Sequence, residues 1–495
     1  MTDTPKSLGD SLRDWVAEHR ETIIQGLSRL IQFPTVSGGE TEEERRGFER
    51  SIGEAQLWLM GEADRWGMRT RRLPLGALII EGGEASECIG VPLHLDVVPP
   101  GEGWRHGSPF SGTVEEGQIW GRGAQDNKGS LMAVLHAVAA ILTTGRTLRR
   151  QVRLIIGNGE ETGEWEDVVQ ARDTEGSPTL CIVPDSSFPL VIAEKGWTNI
   201  EVRAHCEESS APVRLERLWS GDRPNIVPDL AEAELIVGEG GPSRDDVMGM
   251  LAVFGPEHEE HSIEVRWSGP GSERCHAVAH GKRAHGSSPH RGRNAALDLL
   301  SFLCSTFGDG MGEGVHALLS QLESDCHDLN GGAWGIWGDD ELLGPSTVNL
   351  GTLRWDGTEL RAVLNIRPTR GQTAEGALQG VRSRLTAWHQ PGGLRLSADR
   401  MGKGHHDPLI VDTEDLAESI TACSEAWRAV TGTEPKHLTM SGTTYAKVFP
   451  RSIGFGPCWD EEEPGLFHQV DERIPVASHL RNVRLYAEAL GRLIL

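Results

Sequence analysis

The sequence contains no run of about 18 uninterrupted apolar residues, so no helix is expected to span a membrane. Its first residues, MTDTPKSLGDSLRDWVAEHRETIIQGL, lack a basic segment followed by an apolar stretch, which argues against a secretion signal; they read as an amphipathic helix that opens the fold. Eight cysteines are scattered from Cys88 to Cys458 without a CxxC pair. That spacing disfavours a disulfide framework or a thiolate zinc finger and points to reduced thiols in the cytoplasm. Positive charge is scarce: 48 Lys+Arg against 73 Asp+Glu leave a net charge of −25. Such a surface repels phosphate backbones and anionic lipid, which sets nucleic acid and membranes aside as partners. Short-period repeats and low-complexity segments are absent as well.

A chain of 495 residues has room for two or three cores, and 38% apolar with 24% charged residues is the composition of a loop-rich globular enzyme. Between residues 75 and 200, short apolar runs (IGVPLHLDVV, QVRLIIG, TLCIVPD) alternate with a helical pattern, SLMAVLHAVAAIL. This is βαβ order and predicts an α/β sheet covered by helices. From about residue 198 the pattern changes to alternating strands, TNIEVRAHC, HSIEVRW and ERCHAVAHG, with helices such as NAALDLLSFLCSTF between them. The tail returns to helix–strand order and ends in ASHLRNVRLYAEALGRLIL. A catalytic domain in two parts, 1–196 and 401–495, interrupted by a separate α+β domain over 197–400, accounts for this order.

Acids and histidines recur at the ends of the predicted strands or in the loops that follow. His94 and Asp96 end VPLHLDVV, and period-two alternation turns both to one face, where the Asp96 carboxylate could accept the second imidazole N–H and orient the ring. In IWGRGAQDNKG, Gly121, Gly123 and Gly129 surround Asp126, which reads either as a carboxylate presented by a tight loop or as a helix N-cap. Glu160 and Glu161 are adjacent in the Gly-bearing loop NGEETGEW, where two neighbouring carboxylates would repel each other without a cation. Asp185 leaves the strand of LCIVPDSSFP, and His468 stands in GLFHQVDERIP ahead of the last helix. Five loops offering this mixture, with no Cys, suit two Zn²⁺ ions that share a carboxylate and activate water for amide hydrolysis.

These segments, together with AEKG, AHGSSPHRGRNAA, NIRP, MSGTTYAK and IGFGP, are similar in order and spacing to the dinuclear zinc peptidase family of acetylornithine deacetylase, succinyl-diaminopimelate desuccinylase, aminoacylase, carnosinase and PepV-type Xaa-His dipeptidases, and most of all to the last branch. The resemblance implies an α/β/α sandwich with an inserted α+β, ferredoxin-like lid. It implies that Asp126 bridges two zinc ions, with His94 and Asp185 completing one site and Glu161 and His468 the other; Mn²⁺ or Co²⁺ are the alternatives to zinc. Glu160 would be the general base, Asp96 the orienting acid, and the Asp126–Asn127 peptide bond cis. By the same resemblance His285 reaches the oxyanion, Arg367 clamps a substrate carboxylate, and Gly442 and Thr443 line the same subsite. Asn294 reads as the cap of the helix that follows it.

The implied activity is cleavage of dipeptides with a free C-terminal carboxylate, or of N-acyl amino acids by the same chemistry; the third alternative is a metal-stabilised binding protein. Departures fall on the substrate side: Ser108, Pro109 and Phe110 replace a common DPF, and Ser441 stands where a glycine is usual. The insert is long enough for a duplicated lid, so a monomer is expected in preference to a homodimer.

Overall fold

The run from Cys88 to His94 has no charged residue before its last position, and it forms a strand buried along its whole length. In this computed structural model, which describes residues 6–39, 41–206, 211–254, 262–269, 273–459 and 465–495, the chain divides into two compact units. One unit is Met1–Ala193 with Leu409–Leu495, and the other is Glu194–Pro408. His261, which begins the run HSIEVRW, and residues 1–5 of the opening run lie outside the described residues.

The first unit is built on a nine-stranded mixed sheet. Cys88–His94 lies parallel to Gln151–Gly157 on one side and to Leu180–Val183 on the other, and Ser452–Gly454 extends the parallel set. Leu78–Gly82 and then Arg69–Arg72 continue antiparallel at one edge. The Val/Ile/Leu-rich composition of the inner strands Leu78–Gly82, Cys88–His94, Gln151–Gly157 and Leu180–Val183 follows from burial on both faces, whereas the edge strand Arg69–Arg72 is polar.

Helix Lys128–Thr143 is apolar nearly all round and is buried from Lys128 to Ile141, with strand Cys88–His94 on one side and the final helix Val476–Ile494 on another. A Cβ on Gly82 would lie 2.6 Å from Val138 Cγ1, so the sheet needs a bare backbone where this helix crosses it. On the alternate residues of the same strands, Ile79 and Ile155 join a second cluster with Trp165, Val168, Tyr445 and Phe449. Each such fully buried aliphatic side chain stabilises the fold by roughly 1.5–3 kcal/mol. The sequence run read as one opening helix forms two, Leu8–Glu18 and Arg20–Ile31, because His19 leaves helical geometry at φ −98°, ψ 17°.

The second unit is an eight-stranded, wholly antiparallel sheet, with Val213–Ser220 and Thr347–Trp355 joining two sets of four strands. Its strands alternate: Ile200, Val202 and Ala204 are buried, as are Cys275, Ala277 and Ala279. Helices Ala295–Phe307, Glu313–Cys326 and Ala374–Ala387 contribute to the same core. The large mixed sheet with a separate antiparallel sheet is the α/β architecture with an inserted α+β unit that the sequence implied. Asn294 caps Ala295–Phe307, its side-chain oxygen accepting the Ala296 N–H at 3.0 Å. Among the described residues no helix is long and apolar enough to cross a membrane.

Candidate metal centre

Three parallel strands end side by side, and each ends in chemistry. His94 is the last residue of Cys88–His94, Glu160 and Glu161 follow Gln151–Gly157, and Asp185 follows Leu180–Val183. The carboxyl edge of parallel strands is where an open α/β sheet leaves a crevice.

Asp126 reaches the same place from the loop before Lys128–Thr143. The cap of that helix is Asn127, so Asp126 is freed from capping. Its loop is tight: Gly123 has φ +92°, and a Cβ on Gly129 would lie 2.1 Å from the Ala124 carbonyl oxygen. The Asp126–Asn127 peptide bond is cis, as the resemblance implied.

The distances are short. Asp126 Oδ1 lies 3.0 Å from His94 Nε2, and its Oδ2 lies 3.1 Å from His468 Nε2. His468 Nε2 is also 3.1 Å from Glu161 Oε2, and His94 Nε2 is 3.6 Å from Asp185 Oδ1. Ligand atoms of His94, Asp126 and Glu161 all fall within 4.8 Å of one another, and so do those of His94, Glu160 and Asp185. One carboxylate thus faces two imidazoles, and each imidazole has a further acid beside it.

Asp96 stands beside the second nitrogen of the His94 ring and has a further role. His94 Nδ1 is 2.9 Å from the Asp96 backbone carbonyl and 3.5 Å from its carboxylate. That carboxylate accepts the backbone N–H groups of Glu160 at 3.2 Å and Glu161 at 3.1 Å, so it fixes the turn that presents both glutamates. Asn127 donates to Asp185 Oδ1 at 3.0 Å and orients that acid.

Charge is poorly balanced here. Burial, reinforced by Asp185, pushes the Glu160 carboxyl well above its usual range, and burial raises Glu161 and Asp185 too. For His94, burial favours the neutral ring, but Asp185 and Asp126 outweigh it and hold the imidazole protonated. At His468 burial is likewise outweighed by Glu161 and Asp126. Four carboxylates drawing protons onto two imidazoles make a pocket that calls for positive charge, which divalent cations supply while leaving the imidazoles neutral as ligands. The Oε1 atom of Glu161 is buried with no hydrogen-bond partner, as a ligand oxygen would be. Imidazole and carboxylate donors without thiolate fit zinc and neighbouring divalent ions.

Two residues not singled out in the sequence complete the support. Glu472 Oε1 accepts the N–H groups of Gly123, Gln125 and Asp126 at 3.1, 2.9 and 3.2 Å, and its Oε2 pairs with the buried Arg122 guanidinium. The signal available was an acid four residues after His468 in HQVDERIP, but nothing in one sequence shows that it turns inward.

The remaining expected residues lie as follows. In the first unit, Gly442 and Thr443 stand in the loop between His437–Met440 and the turn Tyr445–Lys447. In the second unit, His285 Nδ1 accepts the Ser287 N–H at 3.2 Å and lies 2.6 Å from the Ser287 hydroxyl, which leaves the proton of a neutral ring on Nε2. Arg367 ends Glu359–Arg367, is buried, places its guanidinium 5.8 Å from the Trp197 ring centre and donates to Asn365 Oδ1 at 3.3 Å. Burial pushes its pKa down to about 10.

The profile of peptidase family M20/M25/M40 matches residues 91–492. The chain belongs to this family. It is a metallopeptidase, and the acid–histidine cluster above is its candidate metal site. The chain is 29% identical over 482 residues to "Putative dipeptidase YtjP" of Bacillus subtilis (strain 168), covering 97% of this chain and 98% of that protein. It is 27% identical over 489 residues to "Putative dipeptidase SSP1012" of Staphylococcus saprophyticus, covering 97% and 99%. Its fold is similar to that of human carnosine dipeptidase 1 (TM-score 0.62, 15% identity, 99% of each chain covered). It is also similar to the dipeptidase Dug1p of Saccharomyces cerevisiae (TM-score 0.60, 12% identity, 98% of each covered).

Proposed function

We propose that this metallopeptidase hydrolyses the amide bond of dipeptides with a free C-terminal carboxylate, using two divalent cations, zinc first among them. The observation that carries the reading is the Asp126 carboxylate, whose two oxygens face His94 and His468 at 3.0 and 3.1 Å. In it, Asp126, His94 and Asp185 hold one ion, and Asp126, Glu161 and His468 the other. Bound there, the ions would polarise the scissile carbonyl and lower the pKa of water.

Glu160 is the proton carrier. Its carboxylate takes a proton from the attacking water and returns it to the departing amine, and its raised affinity for protons suits a base that must hold one between the two steps. Asp96 keeps Glu160 in place through the backbone N–H. The Nε2–H of His285 donates to the oxyanion of the tetrahedral intermediate. The planar fork of Arg367 receives the substrate carboxylate in two parallel hydrogen bonds, and Gly442 and Thr443 are further candidates for substrate binding. The names of the curated relatives support a dipeptide over an N-acyl amino acid.

The chain is taken to act as a monomer in the cytoplasm. The two joined sets of four strands in the second unit support the first point, and buried thiols such as Cys88, Cys181 and Cys423 suit a reducing compartment. The test is a hydrolysis panel of dipeptides against N-acylated amino acids, with metal analysis of the same preparation. Turnover of dipeptides that chelator abolishes supports the reading; turnover of acyl amino acids alone reassigns the substrate.

A further inference from the structure

His468 differs from the other expected ligands in how it is held. His94 ends a buried strand and Asp185 follows one by two residues, whereas His468 lies in a loop at φ +64°, with 35% of its side chain exposed. A ligand placed this way keeps its position only if its loop is fixed to something rigid.

Several bonds fix it. Asp471 accepts the Arg105 N–H at 2.8 Å and the Arg105 side chain at 2.6 Å, and the Gln125 side chain accepts the Leu466 N–H at 2.8 Å. Among these bonds, those of the Glu472 side chain run directly to the backbone that carries Asp126. One Glu472 oxygen gathers three N–H groups of one loop, the last from Asp126 itself, while the other oxygen pairs with buried Arg122. Three amide dipoles aimed at one anionic oxygen form an anion-binding nest, here filled by the protein's own carboxylate. Charge-assisted bonds of this kind are about twice as strong as neutral ones.

We infer that Glu472 is a positioning residue that sets the spacing between Asp126 and His468, and that the ion held by Asp126, Glu161 and His468, with ligands on both tied loops, depends on it far more than the ion held by Asp126, His94 and Asp185. This rests on the two-ion reading of the site. Glu472 touches neither ion. It is the side chain that ties the His468 loop to the Asp126 N–H itself, so without it the Gln125 bonds to Leu466 and Arg473 and the pairing of Arg473–Pro475 with Gln118–Trp120 still join the two loops, but the spacing of the two ligands loosens. His94 stays in place, because strand pairing and the Asp96 carbonyl hold it.

The experiment is a chelator-competition titration of the full chain with Zn²⁺, resolving both binding steps. For Glu472→Ala, one of the two ions binds at least tenfold more weakly and the other stays within threefold of the unaltered protein. Glu472→Gln keeps an acceptor oxygen for the three N–H groups, so both ions stay within about threefold. If Glu472→Ala does not fold because Arg122 is stranded, R122M/E472L and R122M/E472Q make the same comparison without a buried unpaired charge. Two ions bound with unaltered affinity by the alanine or leucine variant, or both ions weakened equally, overturns the inference, as does a glutamine variant as weak as the alanine one. Fewer than two ions in the unaltered protein instead overturns the reading beneath it.

Discussion

Glu161 Oε2 stands 3.1 Å from His468 Nε2, while Oε1 of the same carboxylate is buried without a hydrogen bond. A buried carboxylate half satisfied in this way, beside three other acids, is stable as an ion ligand and costly otherwise. Glu161→Gln is therefore expected to lower the bound ion count from two towards one and to reduce turnover by roughly 10²-fold or more. Metal analysis beside a kinetic assay checks both.

Glu160→Gln separates proton transfer from ion binding. The amide keeps the shape of the side chain but cannot carry the proton, so kcat is expected to fall by roughly 10²- to 10⁴-fold. Both ions should remain bound, and KM should change little. A variant that loses its ions together with its turnover would make Glu160 a ligand instead of a base; the grouping of Glu160 with His94 and Asp185 makes that outcome worth measuring.

The parallel strands and the acids at their ends were legible because hydrophobic runs and polar termini are local properties of the text. Strand ends and the loops after them offered the candidates, and it was the resemblance of the surrounding segments to a known family that implied His94, Asp126, Glu161, Asp185 and His468 as one ligand set. What a single sequence does not carry is the direction of side chains in loops. Nothing local shows that the Asp96 carboxylate, 3.5 Å from His94 Nδ1, also accepts the backbone N–H groups of Glu160 and Glu161. Glu472 and Arg122 look like ordinary surface charges in HQVDERIP and IWGRGA, and only the closure of distant loops buries them as a pair. The break at His19 was hidden for the same reason, because the apolar spacing continues through it.

Arg367 gives a substrate-side test. A buried guanidinium without a carboxylate to bind loses a charge-assisted pair of about 1.5–3 kcal/mol. Dipeptide amides, which lack the C-terminal carboxylate, should show a kcat/KM lower by roughly 10- to 100-fold. Arg367→Ala should depress the free dipeptide by a similar factor and erase the difference between acid and amide. Equal loss on both substrates would assign Arg367 a structural role.

His136 and His479 make acid stability testable. Both are fully buried among the helices that cover the sheet; burial pushes His136 down to about 4, and burial together with His136 pushes His479 down to about 3. The unfolded chain binds these protons near pH 6.5, the folded chain only near pH 4 and 3. The neutral rings therefore contribute their full stability above about pH 6.5, and the contribution is lost as pH falls through the folded values. For His136 the loss is on the order of 3 kcal/mol. His136→Leu should move the acid unfolding midpoint to lower pH, followed by circular dichroism, with little change in melting temperature at pH 7.5.

The most direct measurement of the central claim is anomalous diffraction at the zinc edge from crystals of the full chain grown with zinc. Two peaks are expected on either side of the Asp126 carboxylate, one beside His94 and Asp185 and the other beside His468 and Glu161. A single peak, or ions bound away from Asp126, would contradict it.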